Sequence, residues 1–207
     1  VFGFNGNGRL GLAEPNSVDT KPRLSPTVIK AFENQGKKDQ EDSGLPEDDS
    51  QKATKALVKA LRPRKVKTLC LGGFHSAALS DQGDIYTWGD GRNGATGIDL
   101  SREEEKEVSL PTRVLGLGGA KNTVRVLVSG VKHLLAVTSD GHIFSWGDGS
   151  QGRLGHGDQT TVTQPRQIAT LKQKTIRTAA AGEEHSAAVT AEGEIYTWGS
   201  GSFGKLG

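Results

Sequence analysis

Residues 145–157 read SWGDGSQGRLGHG, a glycine-rich stretch whose spacing could bind a phosphate group. Gly147, Gly149 and Gly152 satisfy the pattern G-x-G-x-x-G, which in dinucleotide-binding proteins joins a strand to a helix. Backbone N–H groups at such a junction can bind the pyrophosphate. A flexible linker and a structural turn are the alternatives, and the rest of the chain distinguishes them.

The pattern is part of a longer repeat. Residues 72–97, 130–155 and 182–207 align without a gap, and in each segment a histidine precedes a tryptophan by 13 residues. No helical pattern follows any of the three glycine loops. A nucleotide site needs one such loop, whereas a repeated backbone turn needs one per unit, so we interpret the loops as structural. The recurring residues that we predict to be structural are Gly72, His75, Trp88, Gly89, Gly130, His133, Trp146, Gly147, Gly182, His185, Trp198 and Gly199.

Each unit is typical of four short β-strands. Runs such as VRVLVS (124–129) and HLLAVTS (133–139) are rich in β-branched residues and are separated by glycine-containing turns. A fourth strand is predicted after each glycine loop, from Leu110, from Gln164 and, in a partial repeat, from Arg23. Four strands per unit of about 50 residues predict an all-β fold, a β-propeller.

The predicted organisation is a partial propeller over residues 1–207. Repeat cores lie near 69–98, 126–158 and 177–207, and a partial repeat lies at 1–29. Residues 30–65 form a charged insertion, with a possible short helix at 50–61.

Composition excludes several classes of function. The 207 residues carry 26 basic and 24 acidic side chains, so the net charge of +2 does not favour nucleic acid or a membrane surface. One cysteine excludes an internal disulfide framework and fits a reducing compartment, hence the cytoplasm or the nucleus. No apolar run is long enough to span a bilayer.

The repeated histidines do not predict catalysis or a metal site. Equivalent positions in successive units lie apart around a propeller, and no cysteine or carboxylate accompanies them at zinc-ligand spacing. We therefore expect no catalytic residue, no metal and no cofactor. The tryptophans are expected to pack between sheets.

The repeats resemble the regulator-of-chromosome-condensation family, whose units combine G-x-x-H, a Y/F-x-W-G strand and G-x-x-G-x-L-G. The resemblance implies a seven-bladed propeller. About three repeat lengths cannot close such a ring, so we expect further blades from the same parent chain or from another chain.

Features that occur only once are the candidates for partner binding, because a scaffold repeats what it needs structurally. In the insertion, an acidic stretch (39–49) precedes a basic one, and residues 101–109 (SREEEKEVS) form a second, acidic insertion. Residues that differ between the repeats also lie beside the glycine loops, where propellers expose binding surface. The candidates are Lys52, Lys55, Lys59, Arg62, Arg64, Lys65, Arg92, Asn93, Glu103, Glu104, Glu105, Gln151, Arg153, His156 and Asp158.

The function predicted from these observations is a non-enzymatic scaffold for protein–protein interaction within a larger protein or complex. The resemblance leaves two alternatives open. One is guanine-nucleotide exchange on a Ran-like small GTPase. The other is the substrate- or regulator-binding domain of a HECT-type ubiquitin ligase, whose catalytic cysteine would lie outside this segment.

Overall fold

The computed structural model describes residues 65–98, 107–119 and 122–207. The partial repeat at 1–29, the helix predicted at 50–61 and the insertion up to residue 64 lie outside the described residues. Within them the chain forms eleven strands: β1 (Val66–Leu71), β2 (His75–Ser80), β3 (Ile85–Asp90), β4 (Glu107–Arg113), β5 (Val124–Ser129), β6 (His133–Thr138), β7 (Ile143–Gly147), β8 (Val162–Gln167), β9 (Ile176–Ala181), β10 (His185–Thr190) and β11 (Ile195–Gly199).

The strands form three antiparallel sheets, each made of consecutive strands. The first has the order β1-β2-β3-β4, the second β5-β6-β7-β8, and the third β9-β10-β11. Sheets of consecutive antiparallel strands, packed face to face in chain order, are the blades of a β-propeller. The predicted all-β propeller fold is therefore confirmed.

The register between the second and third strands is the same in every blade. His75 lies opposite Gly89, His133 opposite Gly147, and His185 opposite Gly199. Strands β2 and β6 are buried along their whole length, and each lies between two neighbouring strands of its own sheet. This explains the nearly continuous small and apolar runs HSAALS and HLLAVT.

The fourth strands begin earlier than the sequence predicts. β4 starts at Glu107, inside the stretch interpreted as an acidic insertion, because Val108 is buried beside Trp88 in one apolar cluster. β8 starts at Val162 rather than at Gln164. Both strands contain a proline and lie at the outer edge of their sheets, where proline removes no ladder bond.

The core lies between the blades. Leu79 and Ile85 of the first blade pack in one cluster with Leu127 and Trp146 of the second, and a second cluster joins the second and third blades. Cys70 is half-buried and its thiol donates to the Leu127 carbonyl at 2.9 Å, a contact between blades. Burial raises the pKa of this thiol to about 11, so it stays protonated near neutral pH.

Candidate functional site

The loops after β3, β7 and β11 lie at one end of the blades, beside the turns that precede β2, β6 and β10. We call this end the loop rim, and the opposite end, with the turns after β2, β6 and β10, the turn rim. One backbone hydrogen bond of 2.8–3.0 Å recurs at the loop rim of each blade: Asp90 N to Phe74 O, Asp148 N to Lys132 O, and Ser200 N to Glu184 O. The loop rim is therefore a repeated, preorganised backbone surface.

The glycine loop after β7 is a closed turn that cannot wrap a phosphate. The amide of Ser150 donates to Asp148 Oδ1 at 2.9 Å, and the amide of Gly152 donates to the Gly149 carbonyl at 3.0 Å. The amide of Gln151 donates to Gln159 Oε1. These N–H groups are used within the loop, and the Asp148 carboxylate would repel an anion. A single 3-10 turn at Ser150–Gly152 follows β7 instead of an α-helix.

The first glycine of each loop is required by backbone geometry. Gly147 has φ +111°, and a Cβ at this position would lie 2.5 Å from the Lys132 carbonyl oxygen. Gly199 has φ +107°, and a Cβ there would lie 2.4 Å from the Glu184 carbonyl oxygen. Only glycine combines this φ with such a close backbone approach.

The repeated histidines bond from one blade to the next. His133 Nε2 lies 2.8 Å from Ser186 Oγ, and that hydroxyl donates its proton to the Arg153 carbonyl. Nε2 of His133 is therefore the donor, because the serine oxygen can only accept. A Cβ at Gly130 would lie 2.3 Å from the His133 ring, which explains the glycine of G-x-x-H.

Between the first and second blades, the histidine keeps an equivalent hydrogen bond to a serine, although the serine at the usual position is replaced by leucine. Leu134 stands at the position of Ser186, and His75 Nε2 bonds instead to Ser129 Oγ, which donates to the Gly130 carbonyl. Burial lowers the pKa of both His75 and His133 to about 4, so both rings are neutral near pH 7. Within residues 65–98, 107–119 and 122–207, no three His, Cys, Asp or Glu side chains are grouped as metal ligands would be.

The repeated tryptophans also join blades. Trp146 Nε1 donates to the Ala95 carbonyl at 3.0 Å, and Trp198 Nε1 donates to the Arg153 carbonyl at 2.9 Å. Each ring lies against the loop of the preceding blade, where a Cβ at Gly155 would be 2.9 Å from Trp198 Nε1. The indole hydrogen bonds of Trp146 and Trp198 therefore join neighbouring blades.

Sequence profiles agree with this repeated geometry. The profile of the Regulator of chromosome condensation (RCC1) repeat matches residues 140–189, and a second profile of that repeat matches residues 66–95, 124–153 and 176–205. The chain belongs to the RCC1 repeat family. The three segments of the second profile each begin with the first strand of a blade and end in its glycine loop.

Relatives and solved structures agree with the family. The chain is 40% identical over 137 residues to E3 ubiquitin-protein ligase HERC2 of Homo sapiens, a match that covers 66% of this chain and 3% of HERC2. Human WBSCR16 has the same fold with a TM-score of 0.70 and 21% identity, over 97% of this chain and 42% of that one. Prp20p of Saccharomyces cerevisiae superposes with a TM-score of 0.61 and 22% identity, over 90% and 38%. The chain thus spans less than half of each.

The structure places the predicted partner-binding residues in different surroundings. Lys52, Lys55, Lys59, Arg62, Arg64, Glu103, Glu104 and Glu105 lie outside the described residues. Lys65 is exposed at the turn rim, where its carbonyl accepts the amide of Asp81. Gln151 and Asp158 are exposed at the loop rim and line one cleft of about 490 Å³ beside Trp198. Asn93 and His156 are half-buried, and His156 Nε2 contacts Ser145 Oγ at 3.0 Å.

Arg153 was predicted to lie exposed beside the glycine loop, and the structure corrects this expectation. Its side chain is only 6% exposed, so the RCC1 loop of the second blade does not display it. Nε donates to the Ser150 carbonyl at 2.8 Å, and Nη1 donates to the Glu183 carbonyl of the third blade at 3.1 Å. Arg153 therefore fastens one blade to the next.

A charged network surrounds the Arg153 guanidinium. Asp148 lies 3.7 Å away and Glu184 lies 4.0 Å away, and Lys205 lies 3.8 Å from Glu184. Burial raises the pKa of the Asp148 carboxyl, but hydrogen bonds from Ser150 and the charge of Arg153 outweigh burial, so its pKa lies below the ordinary value.

Replacing Arg153 with alanine should lower the free energy of unfolding by about 2–4 kcal/mol, because the Ser150 and Glu183 carbonyls lose the guanidinium donor and Asp148 loses the opposite charge beside it. Urea unfolding measures this loss. The control is Arg166→Ala: Arg166 and its partner Asp158 are 55% and 45% exposed and lie 3.9 Å apart, so its loss should barely move the urea midpoint. Equal midpoints for the two variants would contradict this role of Arg153.

One exposed residue was missed by sequence reasoning. Phe203, at the tip of the loop after β11, is fully exposed and has φ +61°, like Gln151 at the equivalent position with φ +60°. A bulky residue with positive φ is uncommon in proteins. Aligning the loop tips Asn93, Gln151 and Phe203 would have found this position, because its residue type differs in every unit. No helix within the described ranges is long and apolar enough to cross a membrane.

Proposed function

We propose that this chain is a non-catalytic protein-recognition module, which presents the side chains of the loop rim to other proteins as part of a larger protein or complex. One observation carries the proposal. The repeated residues are used inside and between blades, whereas the tip positions Asn93, Gln151 and Phe203 carry a different residue in every unit, and Gln151 and Phe203 share the same positive φ. A partner would meet a preformed surface, which lowers the entropy cost of binding. Further blades, from the same parent chain or another, are part of the proposal, as is a location in the cytoplasm or nucleus.

The module is tested by comparing variants of its two ends. Gln151→Arg changes an exposed tip of the loop rim, and Leu115→Arg changes a residue that is 75% exposed next to the turn rim. We expect the first variant to lose proteins that cross-link to the wild-type chain in cell extract, and the second to keep them. Equal capture by both variants, or loss by the second alone, would overturn the assignment to the loop rim.

The similarity to HERC2 favours one specific role for the module. The 40% identity to this E3 ubiquitin-protein ligase supports a substrate- or regulator-binding domain of a HECT-type ubiquitin ligase. In that role the bound proteins should become ubiquitinated when the parent protein is active. The Gln151→Arg substitution should then reduce their ubiquitination and leave ligase self-modification unchanged.

The structural similarity to Prp20p favours another role. The structure of Prp20p was reported together with its binding to Gsp1p and histones. Guanine-nucleotide exchange on a Ran-like GTPase predicts faster release of labelled GDP when the chain is added. A recognition module predicts binding with an unchanged release rate. The GDP-release assay on a panel of purified small GTPases separates the two.

A further inference from the structure

The loop rim of the first blade carries two exposed side chains that the other described blades replace. Arg92, in the glycine loop, is 55% exposed, and Phe74, in the turn before β2, is 38% exposed. The residues that align with Arg92 are Ser150 and Ser202, and those that align with Phe74 are Lys132 and Glu184. An arginine and an aromatic residue at these positions therefore occur only once among the described blades.

A buried carboxylate holds Arg92 in place. Asp90 is 3% exposed, and its two oxygens accept hydrogen bonds from Arg92 Nε at 2.9 Å and from Arg92 Nη2 at 2.5 Å. The other N–H groups, on Nη1 and Nη2, have no acceptor among the described residues. Because Asp90 fixes the plane of the guanidinium, a partner that accepts these hydrogen bonds orders little further side-chain motion.

An apolar surface adjoins this arginine. The amide of Asp90 donates to the Phe74 carbonyl at 2.8 Å, so the turn before β2 lies beside the loop of Arg92. Val131 of the second blade packs on the same turn, since a Cβ at Gly73 would lie 2.7 Å from Val131 Cγ1. Val131 is half-buried at the rim. We call Phe74, Arg92 and Val131 the first-blade site.

The exposure of Phe74 belongs to its position in the blade. Glu184 occupies the same position in the third blade, where the loop of the second blade lies beside it and Arg153 Nη1 donates to the neighbouring Glu183 carbonyl. The Glu184 side chain nevertheless remains 40% exposed. A preceding blade therefore leaves this position open to solvent.

The charges around Arg92 favour an uncharged partner. Hydrogen bonds to Asp90 and the charges of Asp90 and Glu107 raise the pKa of the Arg92 guanidinium. Since two carboxylates already act on one cation, a further carboxylate would gain little attraction. Main-chain carbonyl oxygens accept the same hydrogen bonds without this repulsion. Arginine and aromatic residues are also enriched among the side chains that dominate protein interfaces.

We propose that the first-blade site is the main contact of the loop rim and binds an uncharged segment of a partner protein. An apolar side chain of that segment packs on Phe74 and Val131, and its main-chain carbonyls accept hydrogen bonds from Arg92. This inference rests on the proposed function of the loop rim. It adds the position on the rim where the partner binds and the chemistry that the partner presents.

NMR titration with the uncharged probe N-acetyl-leucine N-methylamide tests the site directly, because this probe combines an apolar side chain with amide carbonyls. We expect shift changes at least about threefold larger at the first-blade site than at the equivalent positions of the second blade. The amides to compare are those of Phe74, Arg92 and Asn93 with those of Lys132, Ser150 and Gln151. Equal responses in the two blades, or a stronger response to the acidic probe N-acetyl-aspartate N-methylamide, would overturn the proposal.

Two substitutions remove the site by copying residues that the fold already contains at the equivalent positions. Arg92→Ser produces the Asp-Gly-Ser sequence of residues 148–150, where the amide and hydroxyl of Ser150 both donate to Asp148. The buried Asp90 therefore keeps its hydrogen-bond donors. Phe74→Glu copies the residue of the third blade. Each substitution should reduce the response of the first blade to that of the second.

A graft of the site onto the second blade controls for damage to the fold. Lys132→Phe, Ser150→Arg and Glu183→Val place the same three residue types at the equivalent positions. Added to the variant that lacks the first-blade site, they should move the largest shift changes to the second blade. A graft that keeps the wild-type urea midpoint but shows no larger response there would contradict the assignment to these three side chains.

Cross-linking in cell extract distinguishes failure of this proposal from failure of the proposed function. We expect Phe74→Glu and Arg92→Ser each to reduce the captured proteins at least about tenfold. If Gln151→Arg loses these proteins while both other variants keep them, the loop rim binds partners but the first-blade site does not. If all three variants keep them, the loop rim is not the binding surface. Either result overturns the proposal.

Discussion

Acidification from about pH 7.5 to about pH 5 should lower the free energy of unfolding by about 4 kcal/mol, about 2 kcal/mol for each of His75 and His133. Burial lowers the pKa of both imidazoles from 6.5 to about 4. The charge of Asp90 partly opposes burial at His75, while Arg153 adds to it at His133. The unfolded chain therefore binds two protons between these pH values that the folded chain does not.

Because the unfolded chain binds more protons, the free energy of unfolding falls as the pH falls. Stability is complete above the unfolded pKa of 6.5 and is lost progressively as the pH falls from 6.5 towards 4. Urea unfolding at a series of pH values measures the loss. The pKa values of Asp90 and Asp148 lie below their ordinary value, so these two carboxylates titrate below this window, whereas His156, whose pKa burial also lowers, adds to the loss within it.

Two controls test the assignment. His133→Gln should remove about half of the pH dependence, because Gln can still donate to Ser186 Oγ but does not titrate. NMR should show the ring protons of His75 and His133 unchanged from about pH 7.5 down to about pH 5. Stability that is flat across this range, or rings that titrate near pH 6.5, would contradict the buried neutral histidines.

The second large effect is expected at the glycine loops. Gly147→Ala should lower the free energy of unfolding by about 3 kcal/mol or more, because its Cβ would meet backbone atoms, Lys132 O at 2.5 Å and His133 Cα at 2.7 Å. Backbone cannot rotate away as a side chain can. The strain at φ +111° adds to the clash.

Gly157→Ala is the matched control in the same loop. Gly157 has φ +85°, but a Cβ there would have nothing within 4 Å, so only the cost of a left-handed residue remains, about 1–2 kcal/mol. Urea unfolding of both variants separates clash from backbone strain. If the two variants lose the same stability, close approach is not the reason for glycine at position 147.

The fold was predictable because its determinants recur in the sequence. The Gly130 to His133 spacing, the Trp146 strand and the glycine loop each describe a local contact, and repetition identified them as structural. The bounds of β4 were not predictable in this way. The charged residues before Val108 are typical of a loop, and the strand begins there because Val108 covers Trp88 across the sheet.

The candidate site was less predictable, because it depends on contacts between blades. Arg153 has the same local sequence whether it points to solvent or to the next blade, and the acceptor that decides its position is the Glu183 carbonyl, 30 residues away. Gln151 and Asp158, whose surroundings lie within their own loop, were placed at the exposed rim as predicted from their loop positions.

The tryptophan bonds between blades have a consequence for how such proteins diversify. Trp146 and Trp198 donate to main-chain carbonyls, and the residues that supply these carbonyls are as different as Ala95 and Arg153. Since every amino acid carries this acceptor, substitutions at the position leave the indole's partner in place. Successive units can therefore acquire new side chains there, and with them new neighbours, while the joint that aligns one unit with the next is inherited unchanged.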